Sequence, residues 1–425
     1  MSYKKKVLII TYYWPPAGGS GVQRWLKFSK YLRDFEIEPV IYTIDNPSYP
    51  ILDKSSESEI PKDLEILKQA IFEPNSLLSI FGSKSKKESA GFLNPNPTFF
   101  GSIIQYIRAN YFIPDARKFW IQPSVNFLSN YLENNHIDAI ITTGPPHSMH
   151  LIGLELKKKL GIKWISDFRD AWTEIDYFQQ LPLTKKATKK HQDLEQEVLI
   201  NSDMVVVVGE TMKDKFLKHT NRIEVLTNGF DTIEDLSTQK LDEKFSITHV
   251  GLMNSDRNPT ILWEVLNEIS NTNLNFKNDL RIKLIGKLDD AVIQDLKVFD
   301  HNTIETIPYL DHKDVGKYQA SSQILLLSIN EVPSAKGIIT GKIFEYLQAK
   351  RPILSIGPED GDAAMILKNT NAGTIVGFKN KTALKATILN LYKDYKEGVL
   401  FVKSVNIEQY HRKNITSQLA EVIKK

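Results

Sequence analysis

The side chains able to do chemistry sit in a few short stretches, each directly behind an apolar run. In the first half these are WPPAGGSG (14–21), TTGPPHS (142–148) and DFRDAW (167–172). In the second they are GLMNSDRNP (251–259), GKLDD (286–290), INEVPSAKGIITGKIFEYL (329–347) and GPEDGDA (357–363). The set is rich in glycine, proline, arginine and lysine, and poor in paired carboxylates or histidines at metal-ligand spacing. Glycine lets backbone amides approach an anion closely, and guanidinium or ammonium groups neutralise it. That chemistry holds phosphate; it does not cleave peptides. Lys342 is the sharpest case, one helical turn ahead of Glu345 on the same face and near a helix N-terminus, where the dipole adds to its charge. A surface ion pair of Lys342 with Glu345 is the plainer alternative.

The glycines Gly18, Gly19 and Gly21 open a helix behind the first apolar run, as in a dinucleotide fingerprint. Counted from Gly19, the last glycine of that fingerprint falls on Arg24. Asp45 does end the second run, where an acid would grip a ribose. The WPP lead-in is foreign to that tight turn, however, and the loop is too long for it. A nicotinamide-dependent oxidoreductase is therefore disfavoured.

A chain of 425 residues calls for two or three domains. The apolar runs KVLIITYY, PVIYTID, DAIITTG, KWISDF, DMVVVVG and IEVLTNG alternate with amphipathic stretches such as 148–160. They are apolar throughout, as strands covered on both faces of a parallel sheet should be. The pattern restarts with SITHVG, RIKLIGK, IETIPY, QILLLSI, PILSIG and AGTIV. This predicts two doubly wound α/β domains, 1–229 and 245–408, with 230–244 as a linker. Residues 46–123 read as a long insertion with irregular helices, and 409–425 as an amphipathic helix.

Composition narrows the classes further. No apolar run approaches a membrane span of roughly 18 residues, and MSYKKKVLII is too short for a signal peptide. With no cysteine there is neither disulfide nor thiol chemistry, which fits a cytoplasmic protein. The whole net charge of +3 lies before Thr227, with basic clusters at 4–6, 157–159 and LTKKATKK (183–190). Such clusters suit peripheral contact with an anionic membrane, or are solvated helix faces. No basic stripe with interleaved aromatics points to nucleic acid.

TYYWPPAGGSGVQRWLKFSKYLRD, TNGFD, HVGLMNSDRNPTILWEVL and GKIFEYLQAKRPILSIGPEDGDAAMILKNTNAGTIV together resemble family-four-type retaining glycosyltransferases of GT-B fold. DFRDAW and TTGPPHSMHLIG are most similar to bacterial members that build surface polysaccharides. The resemblance implies two Rossmann-like domains facing a cleft, the last helix crossing back to the first domain. It covers nearly all of the chain except the insertion.

The resemblance also implies roles. Arg257 would hold the donor diphosphate with Lys342, and alone in its loop, since Leu252 stands where relatives carry a second basic residue. Glu345 matches the second glutamate of the E-x7-E element and would bind the nucleotide ribose. The first glutamate falls on Gly337, so backbone groups at Gly337 and Ile338 would face the donor sugar. The catalytic histidine of relatives falls on Thr143, leaving His147 and His150 nearest, with His147 the candidate sugar contact. Arg169 stands where relatives have a cleft-facing histidine, next to Asp170; a structural Arg–Asp pair is the alternative. Gly18 and Gly19 would turn amides to the diphosphate, and Gly21 to the acceptor. Arg117 and Trp120 of IPDARKFW suit an acceptor sugar, or equally a buried tryptophan behind an aspartate cap.

The resulting expectation is a metal-independent retaining hexosyltransferase. It would use a UDP-, GDP- or dTDP-linked sugar, no further cofactor, and a saccharide or polyprenyl-linked acceptor. It would work in the cytoplasm, peripheral to the inner face of the cell membrane. A nucleotide-sugar epimerase of the same fold and a silent relative that binds nucleotide sugar or a partner are the two rivals.

Overall fold

The computed structural model describes residues 5–47, 49, 52–72, 99–175, 178, 180–231, 239–308, 310 and 312–425. Lys4 of the first basic cluster, residues 48, 50–51 and 73–98 of the expected insertion and 232–238 of the expected linker lie outside these. By contacts the chain forms two units: Met1–Asn228 with Arg412–Lys425, and Gly229–His411.

The first unit is built on seven parallel strands: β1 (Lys5–Ile10), β2 (Ile37–Ile44), β3 (Glu65–Gln69), β4 (Ala139–Gly144), β5 (Trp164–Phe168), β6 (Met204–Val207) and β7 (Ile223–Val225). Their order is β3-β2-β1-β4-β5-β6-β7. Ile9 pairs with Ile41 on one side and Ile141 on the other, and all three are fully buried. Such residues have covered neighbours on both faces, which is why the run carries no polar alternation. The longer helices here are α1 (Ser20–Tyr31), α2 (Phe99–Tyr111), α3 (Ile121–Asn134), α4 (Ser148–Leu160) and α5 (Lys185–Asn201). α4 lies close on β5 because Gly153 has no side chain, and a Cβ there would strike the Trp164 ring.

The second unit repeats the plan with β8 (Phe245–Val250), β9 (Leu280–Ile285), β10 (Ile304–Ile307), β11 (Ile324–Ser328), β12 (Ile353–Ile356) and β13 (Gly373–Val376). All are parallel, in the order β10-β9-β8-β11-β12-β13. Its longer helices are α6 (Thr260–Thr272), α7 (His312–Ser321), α8 (Gly341–Ala349), α9 (Asp362–Thr370) and α10 (Lys381–Lys396). The closing helix α11 (Arg412–Lys424) returns to the first unit. There Ile415, Leu419, Val422 and Ile423 share a core with Trp25, Leu26 and the outward side chains of β1. The apolar spacing of that helix is the imprint of this packing.

The insertion is more ordered in part than its composition suggests. It supplies the edge strand β3, paired to β2 from Val40↔Glu65 to Ile44↔Gln69, and the helix α2. β3 is only partly buried, so its sequence EILKQ carries charge where inner strands carry none.

Candidate functional site

In each sheet the strand order reverses once, between β1 and β4 and between β8 and β11. Loops diverge there, and open α/β sheets bind ligands at that crevice.

In the second unit the crevice gathers cations. Arg257 donates from Nε to Asn330 Oδ1 behind β11 (3.0 Å) and from Nη1 to the Leu252 carbonyl behind β8 (3.2 Å). Its guanidinium thus spans the switch point. Ser328 Oγ donates to the Arg257 carbonyl at 2.7 Å and fixes the loop from below. Lys342, in the first turn of α8, reaches back to Gly251 at the end of β8. A Cβ on Gly251 would lie 2.5 Å from Lys342 Cε and 2.8 Å from Nζ. Gly251 has φ of 106°, so two independent reasons demand glycine there.

Neither cation makes an ion pair among the described residues. Burial first, and then the charge of Arg257, push the Lys342 ammonium down to about 8, with Glu345 opposing them. Arg257 is likewise lowered, mainly by burial. Two positive groups therefore share a half-buried site in which neither is ion-paired among the described residues, an arrangement that favours an anion. The polar groups around them point the same way. Thr340, the residue before α8, does not cap the helix, and its Oγ1 is buried without a partner. His249 is buried and held neutral, with a pKa near 3 by burial and then by Lys342, and its Nε2 is also unsatisfied. Each such orphan is costly unless a ligand or water completes it.

Glu345 sits one turn beyond Lys342, half-buried, and accepts from Gln319 Nε2 at 3.2 Å. Gly337 closes a short 3-10 turn, Ala335–Gly337, and Ile338 follows it in extended conformation, so both backbones lie just ahead of α8. His249, Asn330 and the Thr340 hydroxyl, as distinct from the backbone of 336–340, were missed by sequence reasoning. The histidine inside the apolar run SITHVG was the one available signal.

The first unit brings its predicted residues together differently. Gly19 precedes α1 with φ of 108°, and no side chain caps that helix. A Cβ on Gly21 would collide with Arg169 Nη1, so Gly21 is the seat on which the Arg169 guanidinium lies. Arg169 also donates from Nε to the Gly144 carbonyl at 3.3 Å and from Nη2 to the Pro145 carbonyl. It therefore joins the loops behind β1, β4 and β5, half-buried at their junction, with Asp170 exposed beside it. The competing structural pair goes to other residues. Asp167 accepts from Arg24 Nη2 (2.9 Å), Trp25 Nε1 (2.8 Å) and Thr143 Oγ1 (2.8 Å). Arg24, at the position a dinucleotide fingerprint gives to glycine, is a buried strut that also reaches the carbonyls of Leu226 and Thr227.

Two expectations need correction. Trp120 was a candidate plate for an acceptor sugar, but it is fully buried, stacked on Tyr42 at 5.0 Å, and has no open face. His147 does not extend from its helix. Its ring is 5% exposed and stacked on Trp172 at 4.8 Å. Burial, then the charges it would share with His150 and Arg169, keep it neutral, and neither ring nitrogen finds a partner. Asp115 explains the local order: it accepts from the Ser148 amide (2.9 Å) and hydroxyl (2.8 Å), capping α4 behind His147. Arg117 donates to Tyr12 Oη at 3.1 Å with its guanidinium over that ring.

The basic clusters are partly neutralised. Lys6 pairs with Glu65, Lys157 with Asp203 and Lys158 with Glu197. Among the described residues no group of three or more histidine or acidic side chains is placed to hold a metal ion, and no helix is long and apolar enough to cross a membrane.

No protein-family model matches the chain, and no curated protein matches it. Solved structures do. TarM of S. aureus, in complex with fondaparinux, alpha-GlcNAc-glycerol and UDP, is similar with a TM-score of 0.59 at 13% identity, over 99% of this chain and all of that one (100%). WaaG, a glycosyltransferase of lipopolysaccharide biosynthesis, gives 0.55 at 12%, over 98% and 99%. A Listeria monocytogenes protein described as a UDP-N-acetylglucosamine 2-epimerase gives 0.56 at 13%, over 99% and 96%. The likeness is one of fold: two Rossmann-like parallel α/β units of GT-B type.

Proposed function

We propose that the protein is a glycosyltransferase, moving a sugar from a nucleoside diphosphate donor to a saccharide or lipid-linked acceptor in cell-surface polysaccharide synthesis. The observation that carries this is the pair Arg257 and Lys342, laid uncompensated at the β8/β11 switch point beside an uncapped helix N-terminus. Breaking a sugar–diphosphate bond builds negative charge on the leaving group, and two fixed cations stabilise that charge as it grows, without a metal. Glu345 would take the ribose hydroxyls, and the backbone at Gly337 and Ile338 the donor sugar. Gly18 and Gly19 would turn amides to the diphosphate. Gly21, Arg117, Arg169 and Asp170 would face the acceptor, with the neutral His147 positioning their loop from beneath. We assign none of the carboxylates near the strand ends, Asp45, Asp167 and Asp170 among them, as a nucleophile, and take retention to proceed by front-face attack. Peripheral contact with anionic membrane, through 183–190, goes with a lipid-linked acceptor.

Calorimetry with UDP-, GDP- and dTDP-linked sugars tests the site. One of them binds, and Lys342→Ala and Glu345→Ala weaken it; failure of all three overturns the reading. Transfer to a lipid-linked saccharide, unchanged by EDTA and with the donor's anomeric configuration by NMR, supports the rest. A product epimerised on the donor sugar, as the Listeria neighbour's description suggests, would point to an isomerase. Binding without turnover would point to a silent relative.

A further inference from the structure

The first unit carries apolar surface that its own core does not use. On α2, Ile103, Ile104, Ile107 and Tyr111 lie along one side of the helix and are 40–65% exposed, while Ala109 is the buried residue of the segment. Phe72 and Phe119 are exposed beside it, their rings 6.0 Å apart, and Phe112 packs on Phe119 at 5.8 Å. This is a contiguous patch, not scattered single residues.

Cations ring it. The Lys118 ammonium lies over both the Phe112 and Phe119 rings, at 5.3 and 5.1 Å, and donates to the Tyr111 carbonyl. Burial, and then the charge of Lys190, lower its pKa. The start of α5 is joined to α2 through Asn110, which donates to the Pro182 carbonyl (2.8 Å) and accepts from the Thr184 amide (2.7 Å). From there Lys185, Lys186, Lys189 and Lys190 are exposed, and only Lys189 makes an ion pair among the described residues, with Asp193. No acidic residue lies in 99–114 or 183–192. Aromatic and branched apolar groups beside lysines of which only Lys189 is ion-paired among the described residues form an interfacial surface, with alkyl stems down and charges at headgroup level.

We propose that this face, α2 with Phe72, Phe119 and the lysines opening α5, docks onto an anionic lipid bilayer. Charge complementarity selects that occupant. A second copy of the chain would bring the same cations against the same cations. In sequence, residues 73–98 between Phe72 and α2 repeat this composition, with Leu77, Leu78, Ile80 and Phe81 ahead of Lys84, Lys86 and Lys87. They hold too few acids to neutralise it. Docking here gives the membrane contact of the proposed function a location, and it is independent of the nucleotide site in the other unit.

The full chain is sedimented with phosphatidylcholine vesicles, with and without about one third phosphatidylglycerol, at low and high salt. Binding is expected to the anionic vesicles and to fall with salt. Ile104→Asp with Ile107→Asp, and separately Lys186→Glu with Lys190→Glu, weaken it by about tenfold or more. Leu389→Asp, an exposed apolar residue of the second unit, leaves it unchanged. Far-UV circular dichroism and melting temperature show that the variants fold. The proposal is overturned if the wild type ignores anionic vesicles. It is equally overturned if folded variants bind as the wild type does, or if light scattering shows a dimer that the aspartates disperse without any vesicle binding. UDP titration is unaffected throughout, so the two readings fail separately.

Discussion

Gly251→Ala isolates the contact on which the proposed nucleotide site rests. The substitution does two things. It holds a non-glycine residue at a φ of 106°, which costs about 1–3 kcal/mol of stability. It also places a methyl group 2.5 Å from Lys342 Cε and 2.8 Å from Nζ. Those atoms end a flexible chain, so the lysine moves aside with little further loss of stability. What moves is one of two cations at the site. A hydrogen bond to a charged group contributes about 1.5–3 kcal/mol net, so UDP binding should weaken roughly 10- to 150-fold. Calorimetry reads the affinity and a thermal melt the stability. Lys342→Ala should weaken UDP by a similar factor while sparing the fold. The double variant should bind no worse than Lys342→Ala alone, because one contact cannot be lost twice. If Gly251→Ala melts early but binds UDP within about twofold of wild type, or if the two losses add, Lys342 is not a phosphate ligand from this position.

Four further outcomes follow from the structure of the two units. Because Lys342 titrates near 8, UDP affinity should fall as pH rises from 7 to 9.5, with proton uptake on binding, and Lys342→Arg should flatten the profile. The unliganded fold responds with the opposite sign: between about 8 and 10.5 the unfolded chain holds the proton that the folded one has lost, so melting temperature rises with pH there. Gly21→Ala displaces Arg169 and should abolish transfer while leaving UDP calorimetry unchanged; equal loss of both would return the glycine loop to the nucleotide. Arg24→Met strands the Asp167 carboxylate at 1% side-chain exposure and should cost about 3–5 kcal/mol by chemical denaturation, with Arg24→Met/Asp167→Asn recovering part of it.

The strands were legible because burial on both faces leaves nothing polar in the run: KVLIITYY and QILLLSI carry their own assignment as β1 and β11. β3 was not, since an edge strand needs only one side and keeps its glutamate and lysine. Lys342 and Arg257 were legible as candidate phosphate ligands by type and by their place behind strands. Their mutual approach was not, because the contact of Lys342 with Gly251 joins residues far apart in the chain. Trp120 failed for a related reason. An aromatic beside an arginine reads the same whether it faces solvent or the core, and only the stacking on Tyr42 decides.

The glycines were the hardest to interpret, and they show what a local motif omits. Gly18, Gly19 and Gly21 suggest a backbone closing on phosphate. Only Gly19, with φ of 108° and open space where a Cβ would be, is left needing glycine for its conformation alone. Gly21 is glycine because Arg169 lies on it, and Gly251 is glycine partly because Lys342 lies on it. Both units thus use the same device beyond a strand of the switch point, Gly251 directly behind β8 and Gly21 in the first turn of α1: an absent side chain lets a basic residue from a distant segment reach across the crevice mouth. A fingerprint counts the glycines and cannot see the cation each one seats. Arg24, where the fingerprint asks for a third glycine, marks the difference most plainly. It fills with a buried charge the space that a dinucleotide fold keeps clear for close helix packing.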